Sequence, residues 1–316
     1  MQYKNLFYSF FYLINLVFYV IALKSINYYF NIDNLFFSCI IFGEYFPLSL
    51  MYFFYNKNIL EPINIIIGFL DYLQLIFLYI GINNLYVVEY LSYRTLSIIF
   101  NALLSYNYLS VQFNKYEIFG ILIIGIICII LLCLGGIKNL LYSLIILGSS
   151  FMYSICNFLL EKYKENSNFT QIKFISSFLS LMTYTYYSLF SNSVYLDIHH
   201  KLNLVLILLL IFVGSSEYIY YYLKTELIKS TENGSVYINI LDIIRRVITF
   251  IISIYIFNDK YEIYLYICYS ILLLGCIIYN FSKYCEKLYL YIKNKFCSYY
   301  YFDENSENNL EIVEIK

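Results

Sequence analysis

Apolar runs of about twenty residues, each closed by a charged or Asn-rich break, fill nearly the whole chain. A run of ~20 mostly apolar residues is the length an α-helix needs to cross the hydrocarbon core of a bilayer. Read this way, the chain predicts ten spans, at 5–27, 34–55, 62–82, 86–109, 116–134, 140–160, 174–192, 204–223, 234–257 and 261–281. The connections are short and leave no room for a soluble domain. The first run is too long for a signal-peptide core and lacks a small-residue cleavage site, so it is read as an uncleaved first helix. From residue 282 onward the chain turns basic and then acidic, with Asp303, Glu304, Glu307, Glu311 and Glu314, the pattern of a cytosolic interfacial helix followed by a disordered tail.

The loops carry an orientation signal. An N-terminus in the cytosol puts Lys4, Lys57, Lys115, Lys162, Lys164, Lys173, Lys224, Lys229, Lys283, Lys287, Lys293, Lys295 and Lys316 on the cytosolic side. It leaves Lys24, Lys138, Lys201 and Lys260 outside. Cytosolic loops are the Lys/Arg-rich ones, so both termini are expected inside, which requires an even number of spans. The sequons at Asn168, Asn233 and Asn280 then fall on the cytosolic side or within a span, where glycosylation is not expected.

A short repeat cuts the chain in two. Lys-Tyr-Glu-Ile opens an apolar run at 115–118 and again at 260–263, each time after a run holding an intramembrane Arg. The copies are five spans apart, an odd number, so they enter the membrane from opposite sides. That is the inverted-repeat plan of many secondary transporters. The expected organisation is all-α integral membrane, about ten transmembrane helices as two inverted five-helix repeats. Residues 1–138 form the first, 139–281 the second, and 282–316 a cytosolic tail.

Composition agrees and narrows the function classes. Of 316 residues, 61% are hydrophobic and 13% charged, against ~25% charged in a soluble domain. The net charge of −1 gives no reason to expect a nucleic-acid partner. Trp is absent and Tyr reaches 41, a skew that looks like coding bias and lowers the weight of any single Tyr or Asn. The eight Cys form no Cys-x-x-Cys pair, so no metal cluster, redox motif or cofactor is expected. Six lie in apolar runs and read as small buried hydrophobes, while Cys285 and Cys297 in the tail are positions where palmitoylation is chemically reasonable.

The chemistry is carried by ionisable residues inside the runs: Glu44, Asp71, Glu89, Arg94, Glu217, Asp242, Arg245 and Arg246. A charge at a span's centre costs ~2.5–3.5 kcal/mol on insertion scales and faces the bundle interior or a wet cavity. Glu89 and Glu217 are placed nearer the ends of their spans. In the span 86–109, Tyr90, Arg94, Ser97, Asn101 and Ser105 recur at three- and four-residue spacing, a polar stripe along one helix face. Arg94 suits a carboxylate or phosphate through its planar fork. It suits equally a structural pair with Glu89 or Asp71. In 234–257, Asn239, Asp242 and Arg246 share a face, and Asp242 reaches Arg245 or Arg246 at i+3 or i+4, neutralising one and leaving the other for substrate. Asp71 and Gln74 share a face, Asp71 being either a protonatable coupling group or the Arg partner. Ser150, Ser154, Asn157 and Glu161 read as a second stripe or as glue between helices. Gly120, Gly125, Gly135 and Gly136 read as close helix contacts or helix ends.

Four stretches resemble the drug/metabolite transporter superfamily, most nearly the nucleotide-sugar-transporter-like solute carriers of family 35, subgroup F. They are Gly43-Glu44; the Asp-led run 71–85 ending Tyr-x-Gly-Ile-Asn-Asn-Leu; residues 91–104 with Arg94 and the ending Asn-Ala-Leu-Leu; and Leu-Asp-Ile-Ile-Arg at 241–245 with Gly275 and Tyr279-Asn280 beyond it. Arg246, Glu89 and the charged connection between 223 and 234 depart from that pattern. The resemblance covers about residues 34–281. It implies ten helices in two inverted repeats, a central cavity between the halves, alternating access without ATP, an organelle membrane and, in many relatives, a homodimer.

The expected function is therefore secondary transport or exchange of a small, anionic metabolite. Substrate contacts are expected from Arg94, Ser97, Asn101, Asp71, Gln74, Asn239 and Arg245, and coupling or structural ion pairs from Asp71, Glu44, Asp242 and Arg246. The expected partners are the small-molecule substrate and the lipid bilayer. Proton-coupled transport of cationic drug-like or amino-acid substrates is the alternative within the class, and a non-transporting membrane scaffold the alternative outside it. No Gly-x-x-x-x-Gly-Lys sequence supports ATP hydrolysis. His199 and His200, the two histidines, share one loop, which argues against His-based catalysis within the membrane. A pair of Asp71 and Asp242 as protease carboxylates is the remaining enzymatic option, and each has cationic partners close at hand.

Overall fold

The computed structural model describes residues 2–30, 49–50, 54, 60–85, 87–109, 112–134, 136–190, 204–230, 234–257 and 262–282. The expected span 34–55 with Glu44, the loop holding His199 and His200, and nearly all of the 282–316 tail lie outside them. The described residues are helical and contain no strand. The helices are α1 Gln2–Phe30, α2 Pro62–Asn84, α3 Val87–Thr95, α4 Ser97–Leu109, α5 Lys115–Leu134, α6 Gly136–Lys162, α7 Phe169–Phe190, α8 Leu204–Ser230, α9 Gly234–Phe257 and α10 Ile263–Asn280. Five of them, α1, α2, α5, α6 and α8, are long and apolar enough to cross a membrane.

The ends follow ordinary helix chemistry. Pro62 opens α2 at a position where a missing N–H costs nothing. At the start of α5, Asn114 Oδ1 accepts from the Glu117 N–H at 2.8 Å and Glu117 Oε2 accepts from the Asn114 N–H at 2.8 Å. This reciprocal box starts the helix at the first Lys-Tyr-Glu-Ile quartet, whereas at the second Glu262 is the N-cap and makes no side-chain cap bond. The expected boundary at 138/139 falls inside the first turn of α6, which begins at Gly136.

The pattern of burial is inside-out relative to a water-soluble bundle. On α5 the outward face carries Ile118, Phe119, Leu122, Ile126 and Ile129, all exposed. The interior holds nine buried ionisable side chains among the described residues: Asp71, Glu89, Arg94, Lys173, Glu217, Lys224, Asp242, Arg245 and Arg246. An apolar exterior around a charged interior is the arrangement that lipid, not water, solvates.

Helices pack as antiparallel pairs. Asn5 bonds Ser230, Tyr12 packs on Tyr220, and Asn15 donates to the Ser216 carbonyl, which runs α1 against α8. Ser149 donates to the Gln74 carbonyl at 2.8 Å and Cys156 to the Ile67 carbonyl at 3.9 Å, which runs α2 against α6. Between α5 and α10 the backbones touch: a Cβ at Gly120 would stand 2.8 Å from the Gly275 carbonyl oxygen. Small residues at such a crossing are how membrane helices gain contact without a hydrophobic driving force.

One expectation is corrected here. Residues 86–109 are not a single straight helix. The helix breaks at Leu96, where the Leu96 N–H reaches the Tyr93 carbonyl in a tighter turn at 3.2 Å. Neither Pro nor Gly is present, so the cause lies in side chains that compete for the backbone. Thr95 and Ser97 flank the break, and the Thr95 hydroxyl donates back to the Leu91 carbonyl at 2.8 Å. From α6, Ser150 donates to the Tyr93 carbonyl at 3.2 Å and Ser154 to the Ser97 carbonyl at 2.9 Å. These bonds supply partners beside an interrupted backbone, which an apolar surrounding would otherwise penalise.

Candidate functional site

Three clusters of buried charge meet in the middle of the bundle. The first is built on Lys173. Its ammonium donates to Asp71 Oδ2 at 2.8 Å and to Glu217 Oε1 at 3.0 Å, and lies 4.2 Å from the centre of the Tyr221 ring. The Tyr19 hydroxyl donates to the other Glu217 oxygen at 3.3 Å. Asp71 comes from α2, Lys173 from α7 and Glu217 from α8, so the lysine ties three helices together.

The second is built on Asp242 of α9. Arg245 Nε lies 3.6 Å from one carboxylate oxygen and Arg246 Nη2 lies 3.9 Å from the other. Two tyrosines complete the set: Tyr12 donates to Oδ1 at 2.9 Å and Tyr153 to Oδ2 at 2.8 Å. The two arginines then diverge. Arg246 reaches across to the helix break, donating to Thr95 Oγ1 at 2.8 Å and Ser97 Oγ at 3.5 Å. Arg245 lines the central cavity.

The third consists of cations without a carboxylate. Arg94 donates to Ser149 Oγ at 2.8 Å, and its guanidinium carbon lies 4.4 Å from the centre of the Tyr153 ring. The Lys224 ammonium lies 4.1 Å from the same ring centre and 5.2 Å from that of Tyr221. Both side chains are buried, Arg94 at 5% exposure and Lys224 at 1%, and among the described residues neither has a carboxylate within ion-pair distance. The two charges thus sit within a helix diameter of each other, ~10 Å. Lys173, Tyr221, Lys224, Tyr153 and Arg94 form an alternating series of cation and ring, with carboxylates on Lys173 at one end and Asp242 on the Tyr153 hydroxyl near the other.

A cavity of about 30 Å³ opens among the clusters, lined by Gln74, Tyr90, Arg94, Tyr153, Glu217, Asp242 and Arg245 along with apolar residues of α1 and α2. That is room for about one or two waters. It is far below the ~300–1,000 Å³ of a small-molecule site.

Of the residues expected to contact substrate, Arg94, Gln74 and Arg245 line this cavity. The other four do not. Asn101 donates to Asn239 at 3.1 Å, Ser97 accepts from Arg246, and Asp71 is held by Lys173. The alternative reading of Arg94, a structural pair with Asp71 or Glu89, finds no such ion pair among the described residues, and Lys173 holds Asp71. Sequence reading missed the lysines themselves. Lys173 and Lys224 were counted in cytosolic loops, and both are buried within helices, since α7 starts at Phe169 and α8 runs to Ser230. Glu217, expected near a span end, lies deep in α8 for the same reason. The available signal was the apolar pattern continuing past Lys224 through Leu227 and Ile228, both buried.

The described helices form a bundle with a charged core, and five of them are long and apolar enough to cross a membrane. No protein-family model and no curated protein matches the sequence. Solved structures do match in fold. One, titled only "Crystal structure of protein", aligns with a TM-score of 0.62 over 88% of this chain and 98% of its own length at 11% identity. At that identity the likeness is one of fold, and its title carries no function.

Proposed function

We propose that this chain is a secondary transporter of a small anionic metabolite, working by alternating access between two inverted five-helix repeats, as in the drug/metabolite transporter superfamily it resembles. The observation that carries the proposal is the pair Arg94 and Lys224: two buried cations held on the Tyr153 ring, with no carboxylate partner among the described residues, Arg94 and the ring lining the central cavity. A buried charge is ordinarily neutralised by a partner. Arg94 lines the cavity and Lys224 lies behind the Tyr153 ring that also lines it, an arrangement suited to a partner that comes and goes. Arg94 supplies a planar fork for phosphate or carboxylate and Lys224 a compact point charge.

The packing supports the repeat. With 34–55 counted as the second span and α3 with α4 as the fourth, exchanging each span for the one five later turns the α1–α8 contact into α6–α2. It turns α1–α9 into α6 with α3 and α4, and leaves α5–α10 unchanged, and all of these contacts occur. The chemistry follows the same exchange. Tyr12 and Tyr153, on corresponding helices, both donate to Asp242, and Asp71 and Glu217, also on corresponding helices, share Lys173. Rocking one half against the other would widen the cavity toward one side and then the other.

The test is reconstitution in liposomes with a panel of phosphorylated metabolites, nucleotide sugars, dicarboxylates, amino acids and cationic drugs. Saturable exchange of an anion is expected, reduced on the order of tenfold or more by Arg94→Ala and by Lys224→Met with folding intact. Exchange of a cation that neither substitution affects would overturn the reading and move the site to the carboxylates.

A further inference from the structure

The anion reading leaves the Lys173 cluster unused, and its charges do not balance. One ammonium stands between two carboxylates, at 2.8 Å from Asp71 and 3.0 Å from Glu217. All three side chains are buried, at 4% exposure or less. A lysine neutralises one carboxylate; the second is neutral only with a proton on it. The two acids differ in position. Asp71 does not line the cavity, whereas Glu217 does, and its Oε2 is held by one long bond from Tyr19 at 3.3 Å.

We infer that Glu217 is a reversible proton-binding site, and that the proton is a co-substrate of the anion. A proton from water in the cavity attaches to Glu217 Oε2, giving a neutral acid, and Lys173 keeps Asp71 as its counter-ion. On release the proton returns to water on whichever side the cavity then faces. The neighbours allow this. From α1 and α2, Glu217 is faced by Tyr19 and Tyr79, whose hydroxyls bond each other, and by Asp71. From α7 it is faced by Lys173. Its own helix brings Tyr220, Tyr221 and Lys224, the lysine being held by rings. Across the cavity stand Tyr90 and Arg94 of α3, Tyr153 of α6, and Asp242 with Arg245 of α9, the last two already paired.

The consequence for transport rests on the anion reading. A neutral Glu217 removes a negative charge from the cavity that Arg94 borders, so proton and anion favour each other's binding, by linkage to the same factor. For two unit charges roughly 10 Å apart in a protein-like dielectric that factor is about tenfold. The pair would move together as symport.

The proton site is tested without any substrate, by infrared difference spectroscopy of the purified full chain in lipid during a pH titration. A carbonyl stretch of a protonated buried carboxyl is expected to appear on acidification, to vanish in Glu217→Gln and to move to lower pH in Asp71→Asn, where Lys173 becomes the counter-ion of Glu217 alone. No such band in the wild-type chain, or a band that survives Glu217→Gln, overturns the proposal. Glu217→Gln keeps the side-chain shape and an oxygen for Lys173, and its circular dichroism and thermal unfolding show whether the fold is intact. The coupling is tested separately, by uptake of inorganic phosphate and of each panel anion into liposomes acidic outside. Uptake of any of them is expected to rise with the gradient in the wild type and not in Glu217→Gln. Uptake indifferent to the gradient overturns the symport, while a band without uptake of any anion leaves the proton site standing and counts against the transporter reading.

Discussion

Lys173 and Lys224 both present their ammonium groups to the ring of Tyr221, at 4.2 Å and 5.2 Å. Both are buried, and both come from helices of the second half of the chain. Their electrostatic settings are opposite. Lys173 has two carboxylates within 3.0 Å; Lys224 has ring faces and, among the described residues, no carboxylate. A lysine with two acids is a tie that holds helices together, and its removal strands what it holds. A lysine with no acid contributes little to the fold beyond its packing, so some other requirement must keep it charged and buried. The contrast separates structure from function within a few ångströms of one tyrosine.

Replacing each lysine by Met, which keeps the length and removes the charge, gives the largest contrast. Lys173→Met leaves Asp71 and Glu217 buried without a counter-charge, and breaking a buried pair in this way costs ~3–5 kcal/mol. Lys224→Met strands no acid and spares the desolvation of an ammonium, so stability is expected to hold or rise. Thermal unfolding of the detergent-purified variants decides this. Equal losses in the two would mean that Lys224 also has a structural partner. Anion exchange should fail in both, through misfolding in the first and through loss of the site in the second.

Tyr153 allows a finer cut, because it serves both settings at once. Its hydroxyl donates to Asp242 at 2.8 Å while its ring carries Arg94 and Lys224. Tyr153→Phe removes the hydroxyl alone, and a hydrogen bond to a charged group is worth ~1.5–3 kcal/mol. The ring remains, so anion affinity is expected to stay within a few-fold of wild type. Tyr153→Leu removes the ring as well, and a further ~0.5–2 kcal/mol of cation–π attraction goes with it. An affinity that falls as far with Phe as with Leu would show that the hydroxyl, not the ring, organises the open cations.

What sequence reading could see of these regions divides along the same line. Period and hydropathy located the described helices apart from the division of 86–109 into α3 and α4, because those signals depend on the solvent and not on the partner. Arg94, Asp71, Asp242 and the two adjacent arginines stood out for the same reason, as charges inside apolar runs. The partners did not stand out. Lys173 lies five residues into α7, after Phe169, and Lys224 six residues before the end of α8, positions where a span is ordinarily closed at its first lysine. Which acid meets which base depends on the packing of α2, α7 and α8, which no local pattern encodes. The break at Leu96 was hidden because no Pro or Gly marks it, and the side chains that bond around it, Ser150, Ser154 and Arg246, lie far along the chain.

That break gives the smallest expected effect and bears on why the open cations stay put. Ser154 donates to the Ser97 carbonyl at 2.9 Å and also to the Ser150 carbonyl at 2.9 Å within its own helix. The hydroxyl is thus shared between a local bond and one across to α4. Interhelical bonds of this kind in membrane bundles average ~0.6 kcal/mol, so Ser154→Ala should barely move thermal unfolding. Arg94 sits two residues before the break and draws its position from α3, which the break lets diverge from α4. Loosening the α4 side should therefore alter the rate of anion exchange more than its affinity, since the cations and the Tyr153 ring remain. A change in affinity with no change in rate would mean that the break positions Arg94 directly, and that the division between a structural Lys173 and an open Arg94 and Lys224 is less clean than their contacts make it.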